Sequence, residues 1–145
     1  MFDVKILTDE LDRREEVLET VAAIEAVIQL QEPWSNQTLN DLLEQDSMQL
    51  MFVINTANDE VVGYCLYQVL FEQAEILRIG TCPKYQRQGI ASKIFKKLNE
   101  VLKTQAVEAL LLEVRADNTP AIALYEQQGF KMIQRRKGYY QLGLQ

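Results

Sequence analysis

Residues 86–91 read Gln86-Arg87-Gln88-Gly89-Ile90-Ala91, a polar turn with one glycine that follows the apolar segment Ile76–Thr81. From Ile90 onward, apolar residues recur at steps of three and four, the spacing of one face of an α-helix. The stretch therefore predicts a strand, a turn and the start of a helix. Backbone N–H groups at a helix N-terminus bind anions, and a glycine lets a phosphate approach the backbone closely. We expect a ligand that carries phosphate.

The two best-known phosphate loops, G-x-x-x-x-G-K-[ST] and G-x-G-x-x-G, do not occur in the sequence. The pattern present is Q-x-x-G-x-A after a strand. A glycine in a turn before a helix is common, so an ordinary helix start is the alternative interpretation of this stretch taken alone.

Length and charge restrict the class of protein. The chain has 145 residues, enough for one domain with a sizeable core, and we expect a single domain over residues 1–145. Its formal net charge of −6 argues against direct nucleic-acid binding and against an anionic membrane surface, and suits a cationic acceptor such as an amine. The first residues show no signal-peptide pattern and no apolar stretch reaches membrane-spanning length, so the cytoplasm is the expected compartment.

The chain contains no histidine, and its only cysteines are Cys65 and Cys82. This composition excludes the usual Cys/His zinc sites, the Ser-His-Asp triad and Cys-His catalysis, so no metal is expected. Any general acid or base must be Glu, Asp, Tyr, Lys or Cys. Cys82 follows the apolar segment and could be an acyl-accepting thiol, but no basic partner stands beside it, which favours an ordinary reduced cysteine.

Hydrophobic periodicity predicts an α+β fold in the order β-α-α-β-β-β-α-β-α-β-β. It indicates antiparallel N-terminal strands, a central parallel βαβ pair and a C-terminal hairpin, in a mixed sheet flanked by about four helices. The expected elements are a strand over 2–6, a helix from Val17 to Ile28, a helix after Ser35, strands Met48–Thr56, Val61–Phe71 and Ile76–Thr81, a helix from Ile90, a strand Ala109–Val114, a helix between Asp117 and Gly129, and strands Phe130–Arg136 and Tyr139–Leu144 around the turn Lys137-Gly138.

Two finer expectations concern helix starts and strand burial. Ser35 and Thr119 are the expected N-caps of the second and fourth helices, with Pro120 in the first turn of the latter. Both faces of the strand Ala109–Val114 are apolar, which predicts a central strand that is covered on both faces.

Glu113 and Tyr125 are the candidate catalytic residues. Ligands of open sheets bind beyond the carboxyl ends of neighbouring parallel strands, and Glu113 lies at such an end. A carboxylate in an otherwise apolar strand is either desolvated or paired; the alternative to a functional role is a bond to Arg115 on the same face. Tyr125 lies on the following helix, where a core position is the alternative.

Several stretches together resemble the GCN5-related N-acetyltransferases (GNAT), and more closely the ribosomal-protein-alanine N-acetyltransferases of RimI type. The loop is similar to the pyrophosphate loop of that family. The resemblance covers most of the chain and is far more specific than the loop alone. It rests on Gln86–Ala91, Leu112–Asn118, Ala121–Glu126 and Gly129-Phe130, and extends to Pro33-Trp34-Ser35 and Arg135–Tyr140.

The resemblance implies acetyl-CoA as the co-substrate. Backbone groups of one strand would hold the pantetheine arm and the acetyl group, and the loop would hold the pyrophosphate. A lysine of the next helix would reach the outer phosphate. The implied cofactor-binding residues are Ile79, Gly80, Thr81, Arg87, Gln88, Gly89, Ile90, Ala91, Ser92 and Asn118, and the candidate lysines are Lys93, Lys96 and Lys97.

The same resemblance implies that Glu113 is the general base, acting through water, and that Tyr125 is the acid that protonates the departing thiolate. The family transfers acetyl directly to the amine, which agrees with the missing nucleophile machinery. Neutralising a peptide α-amine at neutral pH costs about 1.4 kcal/mol, against about 4.6 kcal/mol for a lysine. A single carboxylate base therefore favours an N-terminal amine, and a ribosomal protein is the expected acceptor.

The resemblance departs at the C-terminal end, where family members continue further and this chain ends at Gln145, soon after Tyr140. We expect a shortened or rebuilt wall of the acceptor site, with Tyr139–Leu144 as the last strand. One rival interpretation is therefore acetylation of a small amine, amino acid or polyamine, with Trp34 and Tyr139 lining a small pocket. The other is a non-catalytic acyl-CoA sensor, which would need the loop but neither Glu113 nor Tyr125.

Overall fold

A computed structural model describes residues 1–10, 12–29, 31–134 and 138–144. Over these ranges the predicted order of elements is confirmed, with four α-helices and seven strands. The expected turn residue Lys137 and the strand end at Arg135 and Arg136 lie outside the described residues. The elements are β1 Phe2–Ile6, α1 Arg14–Ile28, α2 Asn36–Leu43, β2 Met48–Asn55, β3 Glu60–Leu70, β4 Gln73–Thr81, a 3₁₀ turn Pro83–Tyr85, α3 Ile90–Thr104, β5 Ala109–Glu113, α4 Thr119–Gln127, β6 Lys131–Gln134 and β7 Tyr139–Gly143.

The strands form one mixed sheet in the order β1-β2-β3-β4-β5-β7-β6. Neighbours are antiparallel except β4 and β5, which are joined by α3 and run parallel. The expected hairpins β2–β3 and β6–β7 are both present. The last described strand, β7, therefore lies inside the sheet between β5 and β6, and β6 is the edge strand.

Beta-strands β4 and β5 separate at their carboxyl ends. Their parallel pairing stops at Ile76 opposite Leu112, although β4 continues to Thr81. On its other side β4 stays paired with β3, and a bulge leaves Leu77 without a partner in that ladder. Backbone groups of residues 77–81 that point toward β5 therefore have no strand partner, and bulges of this kind commonly occur beside active sites.

The helices cover the two faces of the sheet unequally. Helices α1 and α2 pack on β2, β3 and β4, while α3 and α4 cover the opposite face as far as β5 and β7. The prediction that β5 is covered on both faces is therefore wrong at the carboxyl end of the strand. Its Leu110 and Leu112 are buried under α3, but Glu113 points to the face that α1 and α2 do not reach and is exposed.

The helix starts follow the expected cap chemistry with one correction. Ser35 caps α2, since its hydroxyl accepts a hydrogen bond from the Thr38 N–H at 3.2 Å. Asn118, not Thr119, caps α4: its side-chain oxygen accepts from the Ala121 N–H at 3.3 Å, and Thr119 is the first helical residue. Either side chain can cap a helix, so the sequence alone left the position uncertain by one residue. Among the described residues, no helix has both the length and the apolar character needed to cross a membrane.

Candidate active site

A cleft of about 750 Å³ lies between the end of β4, the start of α3 and α4. All the expected cofactor-binding residues line it except Gln88, whose side-chain amide donates to the Lys84 carbonyl at 3.5 Å. Tyr125 lines it as well. The expected cofactor-binding residues that line the cleft are Ile79, Gly80, Thr81, Arg87, Gly89, Ile90, Ala91, Ser92 and Asn118.

The loop at the mouth of this cleft has the geometry of an anion site. The backbone N–H groups of residues 87–92 find no acceptor among the described residues, because the first hydrogen bond of α3 runs from the Lys93 N–H to the Gly89 carbonyl. Gly89 caps α3 at φ +79°, and a Cβ built on it would meet nothing within 4 Å. Arg87 is also left-handed, at φ +63°. Free amides at the positive end of a helix dipole fit a pyrophosphate, and an added side chain would take the same space.

Neighbouring side chains hold the cleft walls in place. The Tyr85 hydroxyl donates to Glu60 Oε2 at 3.0 Å and accepts from Asn55 Nδ2 at 3.3 Å, which ties the wall of the cleft to the β2–β3 hairpin. On the other side, Gln128 at the end of α4 donates from Nε2 to the Ser92 hydroxyl at 3.1 Å. The sequence analysis identified neither Tyr85 nor Gln128.

The candidate lysines lie elsewhere on α3. Lys93, Lys96 and Lys97 line a separate recess of about 260 Å³ that is shared with β1 residues Phe2 to Val4. The idea that one of them reaches the outer phosphate of the co-substrate stays a prediction.

A second cleft, of about 390 Å³, opens where β4 and β5 separate. Its walls are the separated strand ends and the segment after α1, including Gln29, Gln31 and Glu32. It shares Gln29, Ile79, Asn118 and Tyr125 with the first cleft. The two clefts therefore meet at Tyr125, one on the side of the loop and one on the side of Glu113.

Glu113 belongs only to the second cleft and is exposed there. The expected desolvation or pairing of its carboxylate is not observed, because this face of β5 lacks a covering helix. The alternative bond to Arg115 is also absent: Arg115 pairs with Asp117, Nη2 to Oδ2, at 3.3 Å. Burial, together with the nearby negative charge of Glu113, raises the pKa of Glu75 on β4. Glu113 has no hydrogen-bond partner among the described residues.

Tyr125 combines a packed ring with an available hydroxyl. The ring packs edge-on against Phe95 and Phe130, with centroids 5.9 and 6.0 Å away. Its hydroxyl has no hydrogen-bond partner in the described part of the chain. Burial raises the pKa of Tyr125 to about 12, so the hydroxyl keeps its proton throughout the neutral and mildly alkaline range. The ring of Tyr125 therefore packs against the core, as the alternative interpretation expected, and a role for its hydroxyl stays a prediction.

A buried polar network that the sequence analysis missed joins α1 to β3 and β4. Glu25 of α1 has no exposed surface; its carboxylate accepts from the Tyr64 hydroxyl and from the Trp34 N–H, the latter at 2.9 Å. Arg78 Nε lies 3.8 Å from Glu25 Oε2. The available signal was a charge on the apolar face of α1, since Glu25 follows Leu18 and Val21 at helical spacing.

Residues 14–130 match the acetyltransferase (GNAT) family. The [ribosomal protein bS18]-alanine N-acetyltransferase of Escherichia coli K12 is 37% identical over 108 residues, which cover 74% of this chain and 71% of that protein.

Two solved structures share the fold. The crystal structure of the Escherichia coli ribosomal-protein-S18-alanine N-acetyltransferase superposes with a TM-score of 0.80 and 23% identity, covering 99% of this chain and 94% of the other. The PaiA N-acetyltransferase of Thermoplasma acidophilum, solved in complex with coenzyme A, superposes with a TM-score of 0.75 and 17% identity, covering 96% of each chain.

Proposed function

Because the chain belongs to the acetyltransferase (GNAT) family, we propose that it transfers the acetyl group of acetyl-CoA to the N-terminal α-amine of a protein. A ribosomal protein is the first candidate acceptor, which would place the reaction in the cytoplasm. One observation carries the proposal. Two clefts meet at Tyr125, one lined by a loop suited to pyrophosphate and the other by Glu113.

The first cleft suits the co-substrate. The free amides of residues 87–92 would bind the pyrophosphate, and the unpaired backbone of β4 after Ile76 would hydrogen-bond the pantetheine arm. Asn118 lines both clefts and would contact acetyl-CoA where they meet. This arrangement would place the thioester at the junction of the clefts, beside Tyr125.

The second cleft suits the acceptor and its proton. Glu113 is exposed and unpaired among the described residues, so its carboxylate would take the ammonium proton through a water molecule. The neutral amine nitrogen would then attack the acetyl carbon and form a C–N bond. As the C–S bond breaks, the nitrogen would lose its second proton through water, and that proton would replace the one that Tyr125 gives up. Tyr125 would donate its hydroxyl proton to the departing sulfur, provided that it lies within hydrogen-bond reach.

Acceptor identity rests on chemistry and on relatives. A single carboxylate neutralises an α-amine far more cheaply than a lysine side chain, by about 3 kcal/mol at neutral pH. The net charge of −6 favours a cationic acceptor. The Escherichia coli relative is named for the alanine of ribosomal protein bS18. The rival in which Trp34 and Tyr139 line a small-amine pocket gains no support, because neither residue lines the described clefts.

The test is thiol release from acetyl-CoA with a panel of acceptors. The panel contains a peptide that copies a ribosomal-protein N-terminus beginning with alanine, a lysine peptide blocked at its N-terminus, and a polyamine. Turnover with the free N-terminal peptide alone supports the proposal. Turnover only with the polyamine would instead make the protein a small-amine acetyltransferase, and acetyl-CoA binding without turnover would make it a sensor.

The matched variant is Glu113→Gln, with Glu108→Gln, on the segment before β5, as its control. Loss of the base should reduce kcat by about 100-fold or more while acetyl-CoA still binds. An unchanged kcat in Glu113→Gln would remove Glu113 from the mechanism.

A further inference from the structure

Arg78 lies on β4 at the floor of the acceptor-side cleft, and other residues fix its guanidinium on most sides. Its Nη2 donates to the Glu32 carbonyl at 2.9 Å, its Nε faces the carboxylate of Glu25 at 3.8 Å, and its plane lies over the Trp34 ring with the central carbon 4.2 Å from the ring centre. The side chain is 19% exposed. Arg78 is therefore held in one orientation at the edge of the cleft.

The remaining nitrogen, Nη1, is available to a ligand. It donates no hydrogen bond to a described residue, whereas Nε is buried and has only the Glu25 carboxylate, 3.8 Å away, opposite it. The Nε and Nη2 edge is occupied by Glu25 and Glu32, and Trp34 covers one face of the plane. Nη1 is consequently the donor that Arg78 presents to the cleft that Glu113 also lines.

The charge balance selects the kind of ligand. Glu25 is a buried anion, so the positive charge of Arg78 is already compensated within the protein. A further anion is not needed to neutralise the guanidinium, and the nearby carboxylates of Glu32 and Glu113 would repel one. A neutral carbonyl oxygen remains as the partner of Nη1.

We propose that Arg78 Nη1 binds the first peptide carbonyl of the acceptor and thereby selects an α-amine. In an N-terminal residue that carbonyl is separated from the amine nitrogen by a single carbon, whereas a lysine side chain or a polyamine has no carbonyl near its amine. Arg78 is thus a specificity residue, and Glu25 is a positioning residue that acts through it. This inference rests on the proposed function, because it presupposes a peptide acceptor.

The test compares two acceptors that differ at one bond. One is an alanine-initiated peptide, and the other replaces its first peptide bond by a trans-alkene, which keeps the shape but removes the carbonyl. Because loss of the carbonyl makes the amine more basic, kcat/KM of each peptide is expressed per neutral amine from its pH profile. In the wild-type protein kcat/KM should fall by about 10- to 100-fold with the alkene peptide, the effect of losing one hydrogen bond to a charged donor. In Arg78→Met the two peptides should react at similar rates.

Two further variants keep the result interpretable. Arg78→Met leaves the buried charge of Glu25 uncompensated, so Glu25→Gln/Arg78→Met provides a second protein without that charge and should likewise lose the preference. Arg115→Met removes the other arginine of the cleft and should keep it. Equal wild-type turnover of both peptides, or a preference that survives in the Arg78 variants, would overturn the inference alone. Absence of turnover with either peptide would overturn the proposed function together with it.

Discussion

The carboxylate of Glu25 on α1 accepts a hydrogen bond from the hydroxyl of Tyr64 on β3, and neither residue has solvent-exposed surface. Tyr64 pairs across the sheet with Gly80, which lines the proposed co-substrate cleft. Glu25 also accepts a hydrogen bond from the Trp34 N–H, and its Oε2 lies 3.8 Å from Nε of Arg78. One buried carboxylate therefore joins the strand beside the proposed co-substrate cleft to the wall of the proposed acceptor cleft.

Glu25→Gln should destabilise the protein by about 2 kcal/mol, because it keeps the volume but removes the negative charge that Arg78 and the Tyr64 hydroxyl face. Urea unfolding followed by circular dichroism measures this. Glu19→Gln, on the exposed side of the same helix, should change the free energy of unfolding by less than about 0.5 kcal/mol. Equal stabilities of the two variants would show that the network contributes nothing.

Gly80→Ala should cost about 1–3 kcal/mol of stability, because the added Cβ would lie 2.3 Å from Ile28 Cδ1 and 2.8 Å from the Tyr64 hydroxyl. Displacement of α1 or Tyr64 should also weaken acetyl-CoA binding, measured by calorimetry. Gly143→Ala is the control, since a Cβ there meets nothing within 4 Å. If Gly80→Ala unfolds at the same urea concentration as that control, the close packing against α1 is wrong.

Gly89→Ala and Gly129→Ala both place alanine at positive φ, +79° and +100°, and should each lose about 1–2 kcal/mol of stability. Only Gly89 lies at the α3 N-terminus in the co-substrate cleft. Its added Cβ should raise the Kd for acetyl-CoA by about 10- to 100-fold through lost contacts to charged oxygens. The anion-site assignment fails if the two variants bind acetyl-CoA equally well.

Tyr125→Phe should lower kcat by about 100-fold or more with little change in KM for acetyl-CoA, because the ring contacts with Phe95 and Phe130 remain and only the hydroxyl is lost. Steady-state kinetics of thiol release measures both constants. Tyr67→Phe removes a hydroxyl that donates to Gln49 at 2.8 Å, away from the clefts, and should affect stability instead of kcat. A kcat within a few-fold of wild type in Tyr125→Phe would exclude this tyrosine as the proton donor.

Alkaline pH should reduce stability. Burial raises the pKa of Tyr64, Tyr67 and Tyr125, the last to about 12, whereas tyrosines of the unfolded chain ionise near pH 10. Above about pH 10 the unfolded chain therefore holds fewer protons than the native protein, and the free energy of unfolding should fall as pH rises toward 12. Urea titrations at a series of pH values measure this fall, and a flat profile above pH 10 would contradict the buried phenols.

The rate at lower pH depends on the protonation states of the acceptor amine and of Tyr125. Turnover should rise with pH as the acceptor amine, with a pKa of about 7.7–8.0, loses its proton. Because Tyr125 stays protonated below about pH 11, it should cause no decline in rate between pH 8 and 10. An alkaline loss of rate in that range that disappears in Tyr125→Phe would show that its hydroxyl ionises earlier than its burial implies.

Features set by local sequence were predictable. The loop around Gly89 and the order of the elements depend on turn residues and on periodicity, which are visible within a few residues. The parallel placement of β4 and β5 followed from the helical connection between them. These features bring Asn118, Tyr125 and the loop together, so most of the lining of the proposed co-substrate cleft was predictable from the sequence.

Features set by packing between distant segments were not predictable. Whether Glu113 is buried depends on how far α1 and α2 extend over the sheet, and the apolar composition of β5 gave the wrong answer for that face. Glu25 and Arg78 lie far apart in sequence, and no spacing rule joins a carboxylate on α1 to an arginine on β4. The wall of the proposed acceptor cleft that contains Arg78 therefore could not be predicted from the sequence.

Because β4 and β5 separate, delivery of the acetyl group and choice of the acceptor would depend on different parts of the protein. Where the acetyl group would be delivered depends on main-chain amides and carbonyls, which nearly any side chain can accompany. Which amine is accepted would instead depend on the side chains of a short wall after α1 and on Arg78. Substitutions of Gln31 and Glu32, which line only the second cleft, would then change the acceptor without altering where the acetyl group is delivered.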